Sequence, residues 1–416
     1  MKKFAILAAT LFFPLLALAQ GGNTGMGFEM NGQESFFERL SALEKRSDAF
    51  NLYVNFAGSY QVENGDELSP APWNGKFAAR DLRLEIKGTL TDRIYYRMRQ
   101  KLNRAGTAGT LDNFAQSMDL MMVGYRFRHF AVEAGKICQH WGGFDYDENP
   151  MYIYQYSDLL NHMDIFFAGI DLYWMPIPLH EFVFEITNPV VSSFEHTYGS
   201  SVCTTGPFLV PAAGGALAMT PDPASGNALS FSPVTGTRFP VNVLVNWNGN
   251  FRNGIVQTRV AAGFLTQTSE YTGKLVNGGI KLNFPTLKWY VDYMLEADGI
   301  DRLGFASSDF SMPEGARLRD VTYTSLITKA VWQFIPGWNL VAKASYDTVN
   351  AAIVGGRYRS SVMGVMSLEY LPEASQDFRV FLAATGHRVM FTPVTGFESF
   401  NTGRVELGIM YRIKCY

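Results

Sequence analysis

Residues 50–62 read Phe-Asn-Leu-Tyr-Val-Asn-Phe-Ala-Gly-Ser-Tyr-Gln-Val, and apolar side chains occupy every second position. Leu52 and Val54 fall on one face of an extended chain, and Asn51 and Asn55 fall on the other, because successive side chains of a strand point to opposite sides. The segment is therefore predicted to be a β-strand with one apolar and one polar side. A long, even series of such strands can cross a membrane without an apolar helix.

The same alternation recurs along the chain and predicts sixteen strands. Many are as long as the roughly 9–11 residues that a tilted strand needs to span a bilayer. The predicted strands are 49–63, 79–90, 93–103, 117–127, 129–137, 166–176, 180–187, 240–248, 254–268, 274–284, 287–297, 321–335, 338–348, 357–371, 377–387 and 403–415.

The predicted connections alternate in length. Links such as 91–92 and 336–337 are tight, whereas 64–78, 138–165 and 188–239 are long. Outer-membrane barrels have short periplasmic turns and long external loops, so the fold class is all-β: a transmembrane antiparallel up-and-down barrel of about sixteen strands. A soluble β-sandwich would not need this asymmetry, and no fixed repeat indicates a solenoid.

The N-terminus indicates export. Residues 1–19 have a charged start, an apolar run and a small-residue site, as in a secretory signal peptide, although an N-terminal anchor is the alternative. Residues 20–48 are expected to form a periplasmic segment or short helix, or else a plug within the pore, and 49–416 the barrel. We therefore expect the protein in the outer membrane of a Gram-negative bacterium, in contact with its lipid.

Strands 2 and 3 decide which face is wet. An Arg or Lys that faces lipid at mid-bilayer costs roughly 2–4 kcal/mol. Arg97, Arg99 and Lys101 share one face of strand 3, so that face must point into the barrel. The candidate basic residues of an anion path are Arg83, Lys87, Arg93, Arg97, Arg99, Lys101, Lys343, Arg357, Arg359 and Arg379. Because carboxylates share the wall, an ordinary mixed-charge wall with cross-strand ion pairs is the alternative.

The link 138–165 is rich in glycine and aromatic residues, which suits a loop that folds inward and narrows a pore. An external lid is the alternative. Its candidate constriction residues are His140, Trp141, Asp145, Asp147 and Tyr152. Its acidic cluster lacks the glycine and the distant Glu of a calcium loop, so no metal site is expected. The link 188–239, rich in Gly, Pro, Ser and Thr, is expected to be a mobile external cap.

Other functions find little support in the composition. The formal net charge of −3 gives no reason to expect nucleic-acid binding. Motifs of hydrolases, metalloproteases and phosphate-binding loops are absent from the sequence, so no enzyme activity or cofactor is expected. Three cysteines exclude a complete disulfide framework; Cys138 and Cys203 are as well explained by unrelated thiols as by a pair.

The predicted barrel resembles the phosphate-selective porin O/P family, in the divergent form found in Bacteroidetes outer membranes. The resemblance rests on the hairpin Arg80-Asp-Leu-Arg-Leu-Glu-Ile-Lys-Gly88 to Arg93-Ile-Tyr-Tyr-Arg97, and on Phe130-Ala-Val-Glu-Ala-Gly-Lys136. It implies a sixteen-strand homotrimeric channel with an arginine-lined path for anions. In the family, a segment like 130–136 leads into the loop that folds into the channel.

Together these features predict an outer-membrane porin for passive diffusion of small hydrophilic solutes, with a preference for anions such as phosphate. A plugged transporter of hydrophobic substrates, or a structural or secretion-associated barrel, is the alternative. Water contact at Arg97 and Lys343 would favour the porin over the plugged transporter.

Overall fold

The computed structural model describes residues 49–65, 69–104, 112–204, 229–372 and 377–415. The proposed signal peptide and the segment 20–48 lie outside these residues. The strands are β1 Asn51–Gly65, β2 Pro70–Thr89, β3 Ile94–Lys101, β4 Met118–Arg126, β5 Phe130–Cys138, β6 Phe166–Ile177, β7 His180–Thr187, β8 Ser201–Cys203, β9 Phe231–Pro233, β10 Asn242–Phe251, β11 Val256–Thr266, β12 Thr272–Asn283, β13 Leu287–Ile300, β14 Ala316–Ile335, β15 Trp338–Ala351, β16 Gly356–Tyr370, β17 Phe378–Phe391 and β18 Phe400–Lys414.

Sixteen of these strands form one closed antiparallel barrel, as the sequence predicts. Each barrel strand pairs with the next along the chain, and β7 pairs directly with β10 across the 188–241 connection. The barrel closes where β1 pairs with β18, in a register that runs from Tyr53 opposite Lys414 to Glu63 opposite Arg404. Closure leaves the barrel wall without an unpaired edge, which a membrane would penalise.

The two faces of the wall have the predicted polarity. Apolar side chains such as Leu407 and Ile170 are more than half exposed on the outside. Side chains of opposite parity point inward, and among them Glu85 and Arg99 have no exposed surface at all. The outside therefore suits lipid, and the inside holds ionised groups that lipid could not solvate.

One end of the barrel has tight turns, as predicted. The link between β14 and β15 is Pro336–Gly337 alone, and Gly337 adopts a φ of +80°, which favours glycine. The links 178–179 and 284–286 are similarly short.

Several strands extend further than the alternation predicts. β2 begins at Pro70 instead of residue 79, so only 66–69 separate it from β1. Its outer half pairs with β1, with Lys76 opposite Gln61. Trp73 and Phe77 continue the apolar face of this strand, but Pro70, Pro72 and the Asn74-Gly75 pair resemble a loop, so the strand was missed. β14 likewise begins at Ala316, well before the predicted residue 321.

The long external links contain structure that the sequence did not indicate. β8 pairs with β9 and, in parallel, with the first residues of β14. The described parts of these links contain four short α-helices: α1 Phe144–Asp147, α2 Asp158–His162, α3 Phe194–Tyr198 and α4 Phe305–Asp309. The described parts of the predicted mobile cap 188–239 are therefore anchored to the barrel rim, while 205–228 lie outside the described residues.

The described helices are short, and the three cysteines are free thiols. Among the described residues, no helix has the length and apolar composition required to span a membrane. Cys138 and Cys203 are free thiols within the same buried apolar cluster, and Cys415 is an exposed free thiol.

The polarity of the wall can be tested with one charge placed on each face. Leu407→Arg puts a cation on the lipid side of β18 and is expected to lower the free energy of unfolding by about 2–4 kcal/mol. Gln61→Arg puts the same charge on the lumen side, in register with Glu406, and is expected to cost less than about 1 kcal/mol. Urea unfolding of both variants in lipid vesicles measures the difference, and equal destabilisation would contradict the assignment of faces.

Candidate functional site: a loop folded into the lumen

Residues 139–165, between β5 and β6, lie inside the barrel. Trp141 and Met151 have no exposed surface, and Tyr146 is 1% exposed. The segment contains α1, a 3₁₀ turn at Pro150–Tyr152, and α2, whose first turn is capped by the Ser157 hydroxyl accepting from the Leu160 amide. We call this segment the lumen loop.

Two glycines allow the loop to run directly against the wall. A Cβ atom on Gly143 would lie 2.3 Å from the Asp292 carboxylate on β13, and one on Gly142 would overlap the Tyr146 ring. Because Gly143 leaves this space free, Asp292 Oδ2 accepts a 2.8 Å hydrogen bond from the Asp145 amide. The glycines that the sequence marked as suited to inward folding thus have a steric function.

Carboxylates of the lumen loop pair with basic side chains of the wall. Asp145 lies 2.7 Å from Lys343 on β15, and Asp158 lies 3.2 Å from Arg359 on β16. Two further pairs join Asp147 to Arg259 and Glu148 to Lys329. All four wall partners are largely buried, and in the Asp145 and Asp158 pairs the carboxylate is buried as well, so these two pairs form out of contact with bulk water.

Basic side chains also bind the backbone and rings of the loop. Lys343 Nζ donates to the Gln155 carbonyl at 2.7 Å, and Arg404 donates to the Tyr154 carbonyl at 2.6 Å. The Arg379 guanidinium lies 4.0 Å from the centre of the Tyr152 ring, within cation–π range. The loop is therefore held from several strands on one side of the barrel.

The surroundings of Asp158 favour the ionised form of its carboxyl group. Burial alone would raise the pKa of this carboxyl, but hydrogen bonding and charge from His387 and Arg359 hold the pKa below its usual range. The stabilisation is therefore present at neutral pH and is lost as the pH falls through the lowered pKa.

The five predicted constriction residues all lie in the lumen loop and inside the barrel. Asp145 and Asp147 bind wall cations, Tyr152 contacts Arg379, and Trp141 packs in the largest buried apolar cluster. His140 lies at the root of the loop, with Nε2 2.8 Å from the Tyr173 hydroxyl. The structure therefore has the inward loop and not the external lid.

The predicted basic residues fall into distinct groups. Lys343, Arg359 and Arg379 hold the lumen loop. Arg83, Arg97 and Arg99 face the lumen from β2 and β3 but pair with neighbouring carboxylates, as in the mixed-charge alternative. These pairs join Arg83 to Asp81 and Asp119, Arg97 to Glu85, and Arg99 to Asp119.

The two lysines of this hairpin are more accessible. Lys87 Nζ lies 5.3 Å from the centre of the Tyr53 ring. For Lys101 Nζ, no ion pair or hydrogen bond is found within the described ranges. Among the predicted basic residues that face the lumen, the described residues thus leave the Lys101 ammonium without an ionic or hydrogen-bonded partner.

The structure places two predicted residues elsewhere. Arg93 is exposed in the turn between β2 and β3. Arg357 is exposed and donates to the Tyr346 hydroxyl on the outer face. A bulge opposite Val349 and Asn350 shifts the parity of β16 near its start, so a count by two from Arg359 assigns Arg357 to the wrong face.

Several lumen residues were missed. Arg259 and Lys329 have inward parity on β11 and β14, so the alternation alone could have identified them. Arg80, which donates to the Met151 carbonyl at 3.2 Å, sits at a bulge where the parity changes. Asp158 could not have been identified, because its partners come from sequence positions about 200 residues away.

The lumen is tightly filled around these contacts. Arg97 is 8% exposed and Lys343 is 6% exposed, so the water contact that was expected to favour a porin over a plugged barrel is small in this conformation. The lumen loop covers Lys343 directly.

The ion pairs of the wall should contribute to stability. In Arg97→Ala, the wholly buried Glu85 loses its 2.7 Å partner and keeps Arg412 at 3.3 Å. Removing one partner of a buried pair costs about 3–5 kcal/mol, and the second arginine places this variant at the lower end. Lys274→Ala removes an exposed outer-face lysine and is the control, with an expected change within about 0.5 kcal/mol. If urea unfolding gave the same free energy for Arg97→Ala as for Lys274→Ala, the Arg97–Glu85 pair would not be a desolvated ion pair.

Comparison with known proteins agrees with this architecture. The model of the family described as phosphate-selective porin O and P matches residues 50–389. No curated protein matches the sequence. The outer membrane channel DcaP of Acinetobacter baumannii superposes with a TM-score of 0.55 at 9% identity, covering 88% of this chain and 98% of that one.

Two further structures share the fold. An anion-selective porin from Comamonas acidovorans has a TM-score of 0.51 at 10% identity, with 88% and 99% of the two chains covered. OmpT of Vibrio cholerae in a trimer form has a TM-score of 0.51 at 9% identity, with 88% and 100% covered. Because the family model spans most of the barrel, this chain belongs to the phosphate-selective porin O and P family and is an outer-membrane β-barrel porin.

Proposed function

We propose that the protein is a passive channel for small hydrophilic solutes with a preference for anions such as phosphate. The observation that carries this proposal is the charge of one sector of the wall. Strands β18 and β1–β4 contain eleven Lys and Arg residues and five Asp and Glu residues. The basic residues are Lys76, Arg80, Arg83, Lys87, Arg97, Arg99, Lys101, Arg126, Arg404, Arg412 and Lys414. The acidic residues are Glu63, Asp81, Glu85, Asp119 and Glu406.

The sector formed by β5–β7 and β10 has the opposite balance. Lys136 is its one Lys or Arg, against the carboxylates Glu133, Asp171, Glu181 and Glu185. Charge within the lumen is thus segregated. A solute anion that follows the basic sector gains favourable potential even where individual arginines are paired, since their charges exceed those of the carboxylates.

The lumen loop would set the width of this path. Its carboxylates form ion pairs with Lys343 and Arg359, whose cationic groups could otherwise bind a phosphate. Loosening the loop would both widen the passage and release these cations.

We also propose a homotrimer. The family resemblance implies this assembly, and OmpT of Vibrio cholerae, which has a similar fold, occurs in a trimer form.

The near-complete burial of Arg97 and Lys343 favours one second candidate, a plugged transporter of hydrophobic substrates. Ion conduction separates the two functions. A correctly folded barrel that shows no steady conductance in a planar bilayer would replace the porin proposal with the transporter.

The Asp145–Lys343 pair offers a matched test of selectivity. Asp145→Asn and Lys343→Gln break the same ion pair, so both are expected to raise single-channel conductance by loosening the loop. Their effects on charge are opposite: Asp145→Asn should increase the anion-to-cation permeability ratio, and Lys343→Gln should decrease it. One charge about 4 Å away in water is worth about 1 kcal/mol, so each ratio should change by about threefold to fivefold. Reversal potentials in a KCl gradient give the ratio.

Lys101→Glu tests the basic sector itself and should lower anion preference, whereas Lys274→Glu on the outer face should not. The proposed anion path would be contradicted if the permeability ratio changed in the same direction in Asp145→Asn and Lys343→Gln. An unchanged ratio in Lys101→Glu would also contradict it.

A further inference from the structure

The acidic sector of the lumen holds four carboxylates that are almost wholly buried. Glu133 lies on β5, Asp171 on β6, and Glu181 and Glu185 on β7, and each is no more than 2% exposed. His140, at the root of the lumen loop, is 9% exposed and packs among them. The proposed anion path does not use these groups.

Three of these side chains converge. His140 Nε2 lies 3.3 Å from Asp171 Oδ2, and Glu185 Oε2 accepts a 2.7 Å hydrogen bond from the His140 backbone amide. One donor atom from each of His140, Asp171 and Glu185 lies within 4.8 Å of the others. Tyr173 adds a hydroxyl 2.8 Å from His140 Nε2.

The partners of these carboxylates differ from those elsewhere in the lumen. Glu85, Asp145 and Asp158 each face an Arg or Lys. The acidic sector instead finds neutral donors: the Tyr95 hydroxyl at 2.7 Å from Glu133, and the Asn248 amide at 3.4 Å from Glu181. Four adjacent carboxylates are thus enclosed with little compensating charge.

Three of the carboxylate oxygens also lack hydrogen-bond partners. Within the described ranges, Asp171 Oδ1, Glu181 Oε2 and Glu185 Oε1 are buried and have none. Asp171, Glu133 and His140 line a small cavity together with Arg97, whose guanidinium pairs with Glu85. Buried charged groups in proteins are paired or coordinate metals, so these free oxygens point to a missing cation.

We propose that His140, Asp171 and Glu185 bind a divalent transition-metal cation, with Zn²⁺ as the best match. A mixed imidazole and carboxylate set suits Zn²⁺, whereas Ca²⁺ and Mg²⁺ prefer oxygen ligands throughout. Metal–ligand bonds of about 2.0–2.2 Å place ligand atoms roughly 3–4 Å apart. The three side chains would therefore reach binding distance if their ligand atoms moved by less than about 1 Å. Three protein ligands leave a position that faces the cavity.

Such an ion would join three elements of the fold. His140 begins the lumen loop, whereas Asp171 and Glu185 belong to β6 and β7. The ion would pin the root of the loop to β6 and β7, two strands that its carboxylate anchors do not use, and would neutralise two buried charges. This inference concerns metal binding alone and does not depend on solute selectivity.

Zinc uptake by the folded barrel tests the proposal. Untagged protein is stripped with EDTA and titrated with ZnCl₂ by calorimetry, and its metal content is then measured after dialysis. We expect about one equivalent per chain, with affinity reduced by about tenfold or more in Asp171→Asn and in Glu185→Gln. Both variants are nearly isosteric and remove a buried charge, so the barrel should still fold, as heat-modifiable migration in SDS gels would show.

His387→Asn is the matched control. His387 Nε2 also touches a carboxylate, 3.1 Å from Asp158 Oδ1, but Arg359 already neutralises that group. This variant should keep the zinc. The proposal would be overturned if the folded wild type took up no zinc. It would also be overturned if Asp171→Asn and Glu185→Gln bound zinc as tightly as the wild type. If those variants do not fold, X-ray absorption of the zinc-loaded wild type must show one imidazole and carboxylate oxygens, and any other ligand set would overturn it.

Discussion

The ion pairs between the lumen loop and the wall are the constraint on which the interior depends. A membrane barrel must present apolar side chains outward, so its charged residues collect inside. There they require partners, because an unpaired buried charge costs several kcal/mol. Lys343, Arg359 and Lys329 find these partners on a single inserted segment. The same requirement that fixes the polarity of the wall thus fixes the path of the loop.

The proposed anion preference rests on the separation of basic and acidic side chains around the lumen wall. The basic sector on β18 and β1–β4 adjoins the acidic and amide-bearing sector on β5–β7 and β10, because β4 pairs with β5. The lumen loop starts beside the acidic sector at His140 and then runs to cations on β11 and β14–β16. Its carboxylates therefore occupy part of the positive surface that an incoming anion would contact. In the proposed anion path, selectivity and loop position are therefore coupled through shared residues.

The period-two alternation was enough to predict the fold. Sixteen strands and the inward face of Arg97 and Arg99 follow from it, since a one-residue error in parity would place charges in lipid. The family resemblance rested on the hairpin 80–97 and the segment 130–136. The pattern fails where another signal hides it or the backbone interrupts it. Two prolines and an Asn-Gly pair make the first half of β2 resemble a loop, and the bulge near Arg357 reverses the parity of one residue.

The candidate site was only partly predictable. Glycine and aromatic content pointed to an inserted loop, and Asp145 and Tyr152 lie within it. Which cation each carboxylate meets depends on contacts between residues far apart in sequence, such as Asp158 with Arg359. The sequence suggested that lumen arginines are available to solute, whereas the structure shows that most are paired. The sequence shows no sign of a metal site at His140, because Asp171 and Glu185, which lie beside it in space, belong to two separate strands far from it in sequence.

Hydrogen–deuterium exchange of the folded barrel tests the central claim most directly, that residues 139–157 are held inside the lumen. The amides of His140 and Asp145 donate to wall carboxylates, and the surrounding side chains are buried. Peptides from this segment should therefore exchange as slowly as the barrel strands, and far more slowly than the exposed turn 90–93. Exchange of the segment at the rate of that turn would show a loop free of the wall and would contradict this account.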